Sequence, residues 1–357
     1  MSKELRWGFT TGTCAAAASK AAARLFCKGE TCSSVSIRLP DGEVVAFPVL
    51  ETRSNGIRCE AAVRKNAGDD PDVTDGLPVW AAVSFSDGDG VSFSAGAGVG
   101  TVTLPGMQLS PGEPAINPGP RRMIVDAVRE VSSRGMHVEI SIPGGEEAAK
   151  RTFNGKLGIQ GGLSILGTSG RVRPYSHAAL RDALVCSLDI AKGCGITAPV
   201  MVPGNYGKRV ALGKFNRTER EVIEVSNEWG FMLDAFTRRG FQALLVLGHP
   251  GKLVKLAMGY WNTHSRQSPG VVPYLVRCAD SLGIPVAEDI PAAEGVFASL
   301  PTIPRMRLGE MCAGRVRRAV AGRVSAHIEC AVVLTRMSGD IIGASGDITP
   351  WEGDRKA

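Results

Sequence analysis

The side chains best able to do chemistry lie in short glycine- and hydroxyl-rich stretches, and their types point to anion recognition before they point to any reaction. In the second half, Pro203-Gly204-Asn205-Tyr206-Gly207, Ser226-Asn227 and Gly248-His249-Pro250-Gly251 each follow an apolar run and precede a helix-like one. Such loops let backbone amides approach a ligand and aim a helix N-terminus at it. None is the full Gly-x-Gly-x-x-Gly fingerprint or a Gly-x-x-x-x-Gly-Lys-Ser/Thr loop. A nucleotide-like ligand is therefore suggested by Gly204, Asn205, Gly207, Ser226, Asn227 and Gly248 without being fixed. His249, and His264 in Thr263-His264-Ser265, are either bases for work near neutral pH or hydrogen-bonded structural groups.

The first half adds more hydroxyls and arginines. Gly8-Phe9-Thr10-Thr11-Gly12-Thr13 runs straight into an alanine-rich helix, so Thr11 or Thr13 is expected to cap it, in a turn that binds an anion or only packs closely. Thr168-Ser169-Gly170-Arg171-Val172-Arg173 closes a glycine loop whose arginines suit carboxylates; a solvated inter-domain loop is the alternative. Asp69, Asp70, Asp72 and Asp75 crowd one loop without the spacing of an EF-hand, and a solvated turn is expected there.

The elements that must position these groups differ between the halves. Val35 to Leu39 and Val44 to Val49 flank Asp41-Gly42 as a hairpin, and Val79 to Phe85 with Val91 to Ala95 reads as a second hairpin around Asp87-Gly88-Asp89-Gly90. A helix from Arg121 to Arg134 and a strand from Met136 to Ile142 complete an α+β half. A helix from Ser176 to Ile190 leads to Lys192-Gly193-Cys194-Gly195, a plausible linker. Beyond it, strands Ala198 to Val202, Val222 to Val225 and Ala243 to Leu247 alternate with helices, including Glu228 to Arg238 and Lys252 to Gly259, as in a parallel doubly wound sheet. The expected domains are 1-192 and 193-357.

Composition narrows the function classes. A chain of 357 residues suggests two domains, and a net charge of +6 without basic-aromatic clusters favours a small acidic ligand over nucleic acid. Nine scattered cysteines, with no Cys-x-x-Cys pair, read as reduced thiols and give no metal site. No apolar run approaches the roughly 20 residues of a membrane span, and the N-terminus does not read as a signal peptide. A cytoplasmic protein without membrane contacts is expected.

Together these residues resemble the cobalt-precorrin-5B C(1)-methyltransferase family of anaerobic cobalamin biosynthesis, CbiD. The resemblance is carried by Phe9 to Ala15, Gly68 to Thr74, Gly98 to Thr103, Ala115 to Pro118 with Arg121, and Leu157 to Gly170. It continues in Val202 to Asn205, Ser226-Asn227, Gly248 to Leu253 and Asn262 to Ser265. It implies an α+β N-terminal domain of permuted ribosomal-protein-type fold and an α/β C-terminal domain with a parallel, Rossmann-like sheet. The implied activity is methyl transfer from S-adenosylmethionine to ring carbon 1 of cobalt-precorrin-5B, giving cobalt-precorrin-6A, with cobalt present only inside the tetrapyrrole.

On that resemblance, Thr10, Thr11, Thr13, Arg121, Thr168, Ser169, Arg171 and Arg266 are expected to contact the polycarboxylated substrate. Gly204, Asn205, Gly207, Ser226, Asn227 and Gly248 would contact S-adenosylmethionine, and His249 or His264 would take up any proton that moves. The chain departs from the family pattern at Lys208 and at Pro269-Gly270, and it matches weakly after Pro285. Two other readings stay open at this point: a corrinoid-binding carrier or subunit without methyl transfer, and another α/β enzyme acting on an anionic small molecule. No oligomeric state is implied.

Overall fold

A computed structural model describes residues 5–174, 177–287 and 289–352. It divides into two compact units, Met1–Ala179 and Leu180–Ala357. The division falls near the start of the helix His177–Gly193, whereas the linker read from Lys192 to Gly195 lies at that helix's far end. Ser176, expected to open the helix, lies outside the described residues.

The first unit is built on a mixed five-stranded sheet in the order Glu51–Ser54, Cys59–Arg64, Pro78–Phe85, Met136–Ser141, Val91–Ala95. The first hairpin forms as read, with Ser34–Arg38 antiparallel to Val44–Pro48. The second does not. Met136–Ser141 inserts between its two arms, antiparallel to Pro78–Phe85 and parallel to Val91–Ala95. Burial accounts for the correction: Met136, Val138 and Ile140 are wholly buried and fit a strand flanked on both sides, whereas the serine-bearing Val91–Ala95 has no buried residue and takes the edge.

The helix Thr11–Lys28 packs on strands Cys59–Arg64 and Pro78–Phe85 and on the helix Pro118–Arg129. Ala15 to Ala18 and Ala21 to Ala23 are all fully buried, so a nearly side-chain-free surface lets sheet and helix backbones approach closely. Thr10, rather than Thr11 or Thr13, is the N-cap; its hydroxyl accepts from the Thr13 amide at 3.2 Å.

In the second unit the sheet order is Val222–Glu224, Val200–Val202, Ala243–Gly248, Glu329–Thr335, Ile341–Ser345. The first four strands are parallel and the last is antiparallel. Alternate residues feed two cores. Leu244 and Val246 join the helices Trp229–Thr237, Pro250–Ala257 and Thr302–Ala321, while Leu245 and Leu247 join Val210, Ala211 and Trp351 on the opposite face. The region after Pro285 thus completes the sheet. No helix among the described residues is long and apolar enough to cross a membrane.

The acidic loop is not simply solvated. Asp72 accepts from the buried Lys65 ammonium at 3.1 Å, and Asp69 pairs with Arg6 at 3.0 Å. Burial would raise the Asp72 pKa, but the Lys65 charge and hydrogen bonds from Thr74 outweigh it and hold the carboxyl below its usual range. A depressed carboxylate stabilises the fold above its unfolded pKa and loses that contribution as pH falls through the folded value. Asp72→Asn, which strands the Lys65 charge, should cost about 3 kcal/mol in denaturant unfolding at neutral pH, and the deficit should shrink below about pH 4.

Candidate functional site

Two places gather the residues singled out in the sequence, one in each unit. In the first, the opening threonines are hydrogen-bonded inward. Thr11 Oγ1 donates to Leu166 O at 3.3 Å and accepts from Leu166 N at 3.1 Å, and Thr13 Oγ1 donates to Gly170 O at 2.7 Å. Thr10, Thr11 and Thr13 are all buried. They fasten the 166–170 loop and leave no hydroxyl pointing to solvent. Gly167 packs against Thr10 at φ +133, a conformation and a closeness that a side chain would not tolerate.

Beside that loop is a groove of about 640 Å³ lined by Ile37, Leu39, Arg122, Met123, Asp126 and Thr168, with Arg38 and Arg129 at its wall. Thr168 and Ser169 are both exposed, and Ser169 Oγ donates to Arg171 O at 3.1 Å. Arg171 is held by Glu43 at 2.5 Å and lies 5.3 Å from the Phe9 ring. Arg121 points elsewhere: its guanidinium donates to Ile116 O, Glu113 and Pro114 O at 2.7, 2.8 and 3.2 Å. The next residue, Arg122, lines the groove, is exposed and has no ion pair among the described residues. Adjacent positions on a helix face directions about 100° apart, so the arginine pair in the sequence marks the groove but only the fold selects its member.

In the second unit, the strand order puts the topological switch point, where such sheets bind ligands, between Val200–Val202 and Ala243–Gly248, which send their chains to opposite faces of the sheet. The loops at 203–204 and 248–249 leave the carboxyl ends of these strands. A side chain at Gly248 would meet Pro203 Cδ at 2.9 Å, so this glycine lets the two loops pack. Gly204 has open space on its Cβ side and precedes the helix Asn205–Lys214, which has no side-chain cap, while Gly207 is packed against Val202. Ser226 holds φ +54, an unusual backbone value for a residue with a side chain, and turns Asn227 toward Lys252 and Thr263.

Both histidines use Nδ1 to accept a backbone amide two residues on: His249 from Gly251 and His264 from Arg266, each at 3.1 Å. His249 thereby caps the helix Pro250–Ala257, and its Nε2 lies 3.0 Å from Glu294, which Arg336 also holds at 3.0 Å. An imidazole accepting at Nδ1 carries its proton on Nε2, so His249 donates to Glu294. Burial lowers its pKa more than Glu294 raises it. His264 and Arg266 are exposed. Among the described residues, no group of three or more His, Cys, Asp or Glu converges as a metal site would.

Residues 1–174 match the family model described as CbiD. A relative from Syntrophotalea carbinolica, named cobalt-precorrin-5B C(1)-methyltransferase, is 49% identical over 98% of this chain and 99% of its own length. The chain belongs to the CbiD family. A relative of the same name from Moorella thermoacetica is 39% identical over 96% of each chain. A solved structure of cobalamin biosynthesis protein cbiD from Archaeoglobus fulgidus is 28% identical, with a TM-score of 0.39, and covers 78% of this chain and 85% of that one.

Lys208 and Pro269-Gly270, where the sequence is expected to depart from the family pattern, have clear surroundings. Lys208 pairs with Glu219 and lies 3.9 Å from Glu224. Glu224 ends the second strand about 20 residues beyond Gly204, where dinucleotide-binding sheets carry their ribose acid. That spacing was present in the sequence as a signal for Glu224. At Pro269-Gly270 no helix follows the Thr263-His264-Ser265 trio; the next one is Val272–Asp280.

A histidine with a depressed pKa stabilises the fold above its unfolded value, near 6.5, and loses that contribution as pH falls through the folded value. Nitrogen-15 NMR should find His249 as the Nε2–H tautomer, titrating below an ordinary histidine. His249→Asn keeps a capping acceptor and should flatten the fall in melting temperature between about pH 7 and 5; an unchanged slope would place the titrating group elsewhere.

Proposed function

We infer that this chain is a methyltransferase that adds the C1 methyl group to cobalt-precorrin-5B in cobalamin biosynthesis, with S-adenosylmethionine as the donor and cobalt present only within the substrate. The observation carrying this reading is the 49% identity to a cobalt-precorrin-5B C(1)-methyltransferase along essentially the whole of both chains. A cytoplasmic location belongs to the same proposal.

The second unit, which holds most of the region expected from the sequence to contact the donor, is assigned to it. Glu224 suits ribose hydroxyls, and the uncapped start of the helix Asn205–Lys214 beside the open Gly204 suits a group that accepts amide hydrogens. When bound, S-adenosylmethionine supplies a methyl group already activated by its sulfonium. The chain's own work is then alignment and exclusion of water, worth several orders of magnitude in rate when the geometry is right. His249 positions the helix Pro250–Ala257; moving a proton at its Nδ1 would first require releasing the Gly251 amide.

The first unit is assigned to the tetrapyrrole. The groove at 118–129 combines apolar wall residues for a macrocycle with a free guanidinium for its carboxylate arms. In this assignment Arg122 contacts substrate, Thr168 and Ser169 lie at the groove's loop, and Thr10, Thr11, Thr13 and Arg121 hold that loop and helix in place. Arg171, also in the first unit, completes this set, whereas Arg266, expected from the family to contact substrate, belongs to the second unit.

Anaerobic incubation with cobalt-precorrin-5B and methyl-labelled S-adenosylmethionine should give a tetrapyrrole carrying one labelled methyl at C1 by mass and NMR analysis. Arg122→Ala should raise KM for the tetrapyrrole about tenfold with the melting temperature unchanged, whereas Arg121→Ala should lower the melting temperature. Absence of any labelled product alongside an active homologue would overturn the activity.

A further inference from the structure

The loop-and-helix corner after strand Ala243–Gly248 holds two cations with no counter-ion among the described residues. Lys252 Nζ donates to Asn227 Oδ1 at 2.9 Å and reaches Thr263 O at 3.4 Å. Lys255, only 6% exposed, donates to the same Thr263 O at 3.3 Å and to Ser268 Oγ at 2.9 Å. Two ammonium groups therefore lie within hydrogen-bonding reach of one carbonyl. Neither forms an ion pair among the described residues. Each has three donors and two acceptors among the described residues, leaving one N–H apiece.

The neighbouring groups are also donors. Asn227 Oδ1 accepts from both Lys252 Nζ and Thr263 Oγ1, which fixes the amide's orientation because an ammonium can only donate. Its Nδ2 is thereby left to donate, without a partner among the described residues. Ser226, held at φ +54, sets this orientation directly after the strand Val222–Glu224. Nearby, His249 engages Glu294 and Glu228 engages Arg181 and Asn262, so these acids are already committed. Both lysine pKa values are lowered, by burial first and for Lys255 also by the Lys252 charge.

We propose that Lys252 and the free amide edge of Asn227 bind a ligand carboxylate, with Lys255 behind them adding its charge. This rests on the methyltransferase reading, which supplies two carboxylate sources: the amino-acid end of S-adenosylmethionine and the acetate or propionate arms of the tetrapyrrole. The shared chemistry is a carboxylate received by two ammonium groups and an amide. Lys252 and Lys255 are binding and positioning residues and take no part in bond-making.

The test is calorimetric binding to the full chain, using two matched pairs of probes. One pair is S-adenosylmethionine and its decarboxylated analogue; the other is cobyrinic acid and its amidated counterpart. Wild type should prefer the carboxylated member of one pair by about tenfold or more, and that pair identifies the source. Lys252→Gln should abolish the preference and Lys252→Arg should largely keep it.

Asn227→Asp gives Lys252 a counter-charge and turns the amide's donor edge into an acceptor facing the ligand carboxylate, so it should raise the melting temperature and abolish the preference. A lysine pair that only staples the 262–268 loop predicts the same rise in melting temperature with binding unchanged. No preference in wild type for either pair, or a preference surviving Asn227→Asp, overturns the proposal. Turnover of cobalt-precorrin-5B without any such preference would remove this site and leave the activity standing; the preference without turnover would do the reverse.

Discussion

The first unit depends on the satisfaction of three buried hydroxyls. Thr10, Thr11 and Thr13 sit at the mouth of a helix whose alanine face is sunk against the sheet, so their hydroxyls are cut off from water. A buried hydroxyl without a partner costs on the order of 1–3 kcal/mol. Thr10 closes on the helix itself, while Thr11 and Thr13 find their partners at Leu166 and Gly170, which ties residues far apart in sequence into one corner. The corner then sets the groove. Gly167 presses on Thr10, Gly119 approaches Gly167 O, and the helix from Pro118 to Arg129 is fixed with Arg122 and Thr168 on the same wall.

The second unit reaches a similar end through strand order. Because the chain leaves Val200–Val202 and Ala243–Gly248 toward opposite faces of the sheet, their carboxyl ends form its topological switch point, where Gly248 lets the two loops pack. Sequence neighbours such as Pro250-Gly251 and Lys252 are delivered there by a short helix capped by His249. The cap explains why a histidine stands at this place without requiring it to shuttle protons: a neutral imidazole accepting from Gly251 and donating to Glu294 is satisfied on both edges.

The loops were legible because glycine, asparagine and hydroxyl residues after apolar runs have few other uses, and the three strand-loop-helix units followed from them. The hairpin expected at 78–95 does not form, because adjacency in sequence favours pairing whereas the more apolar Met136–Ser141 takes the interior position. The last two strands of the second sheet were missed although Ala331-Val332-Val333-Leu334 is a continuous apolar run, the mark of a strand buried on both faces. Local sequence does not single out Thr10 as the cap, because it offers three threonines and the choice is made by Leu166 and Gly170, more than 150 residues away. The same holds for Arg121 and Arg122, where Glu113 and two carbonyls claim the first.

Charge pairing is what separates scaffold from site in this chain. Arg121 with Glu113, Arg171 with Glu43 and Lys65 with Asp72 are cations whose anions come from the protein, and each joins elements that must stay together. Arg122 in the first unit and Lys252 with Lys255 in the second lack such anions among the described residues. Lys252 and Lys255, half-buried and buried, are destabilising without a counter-charge unless something else supplies it, whereas Arg122 stays in water until a ligand covers it. In a protein whose inferred substrate is a polycarboxylate and whose inferred donor ends in an amino acid, ligand carboxylates provide that charge. Folding therefore leaves these cations incompletely compensated, and binding energy is released where the scaffold has withheld its own acids.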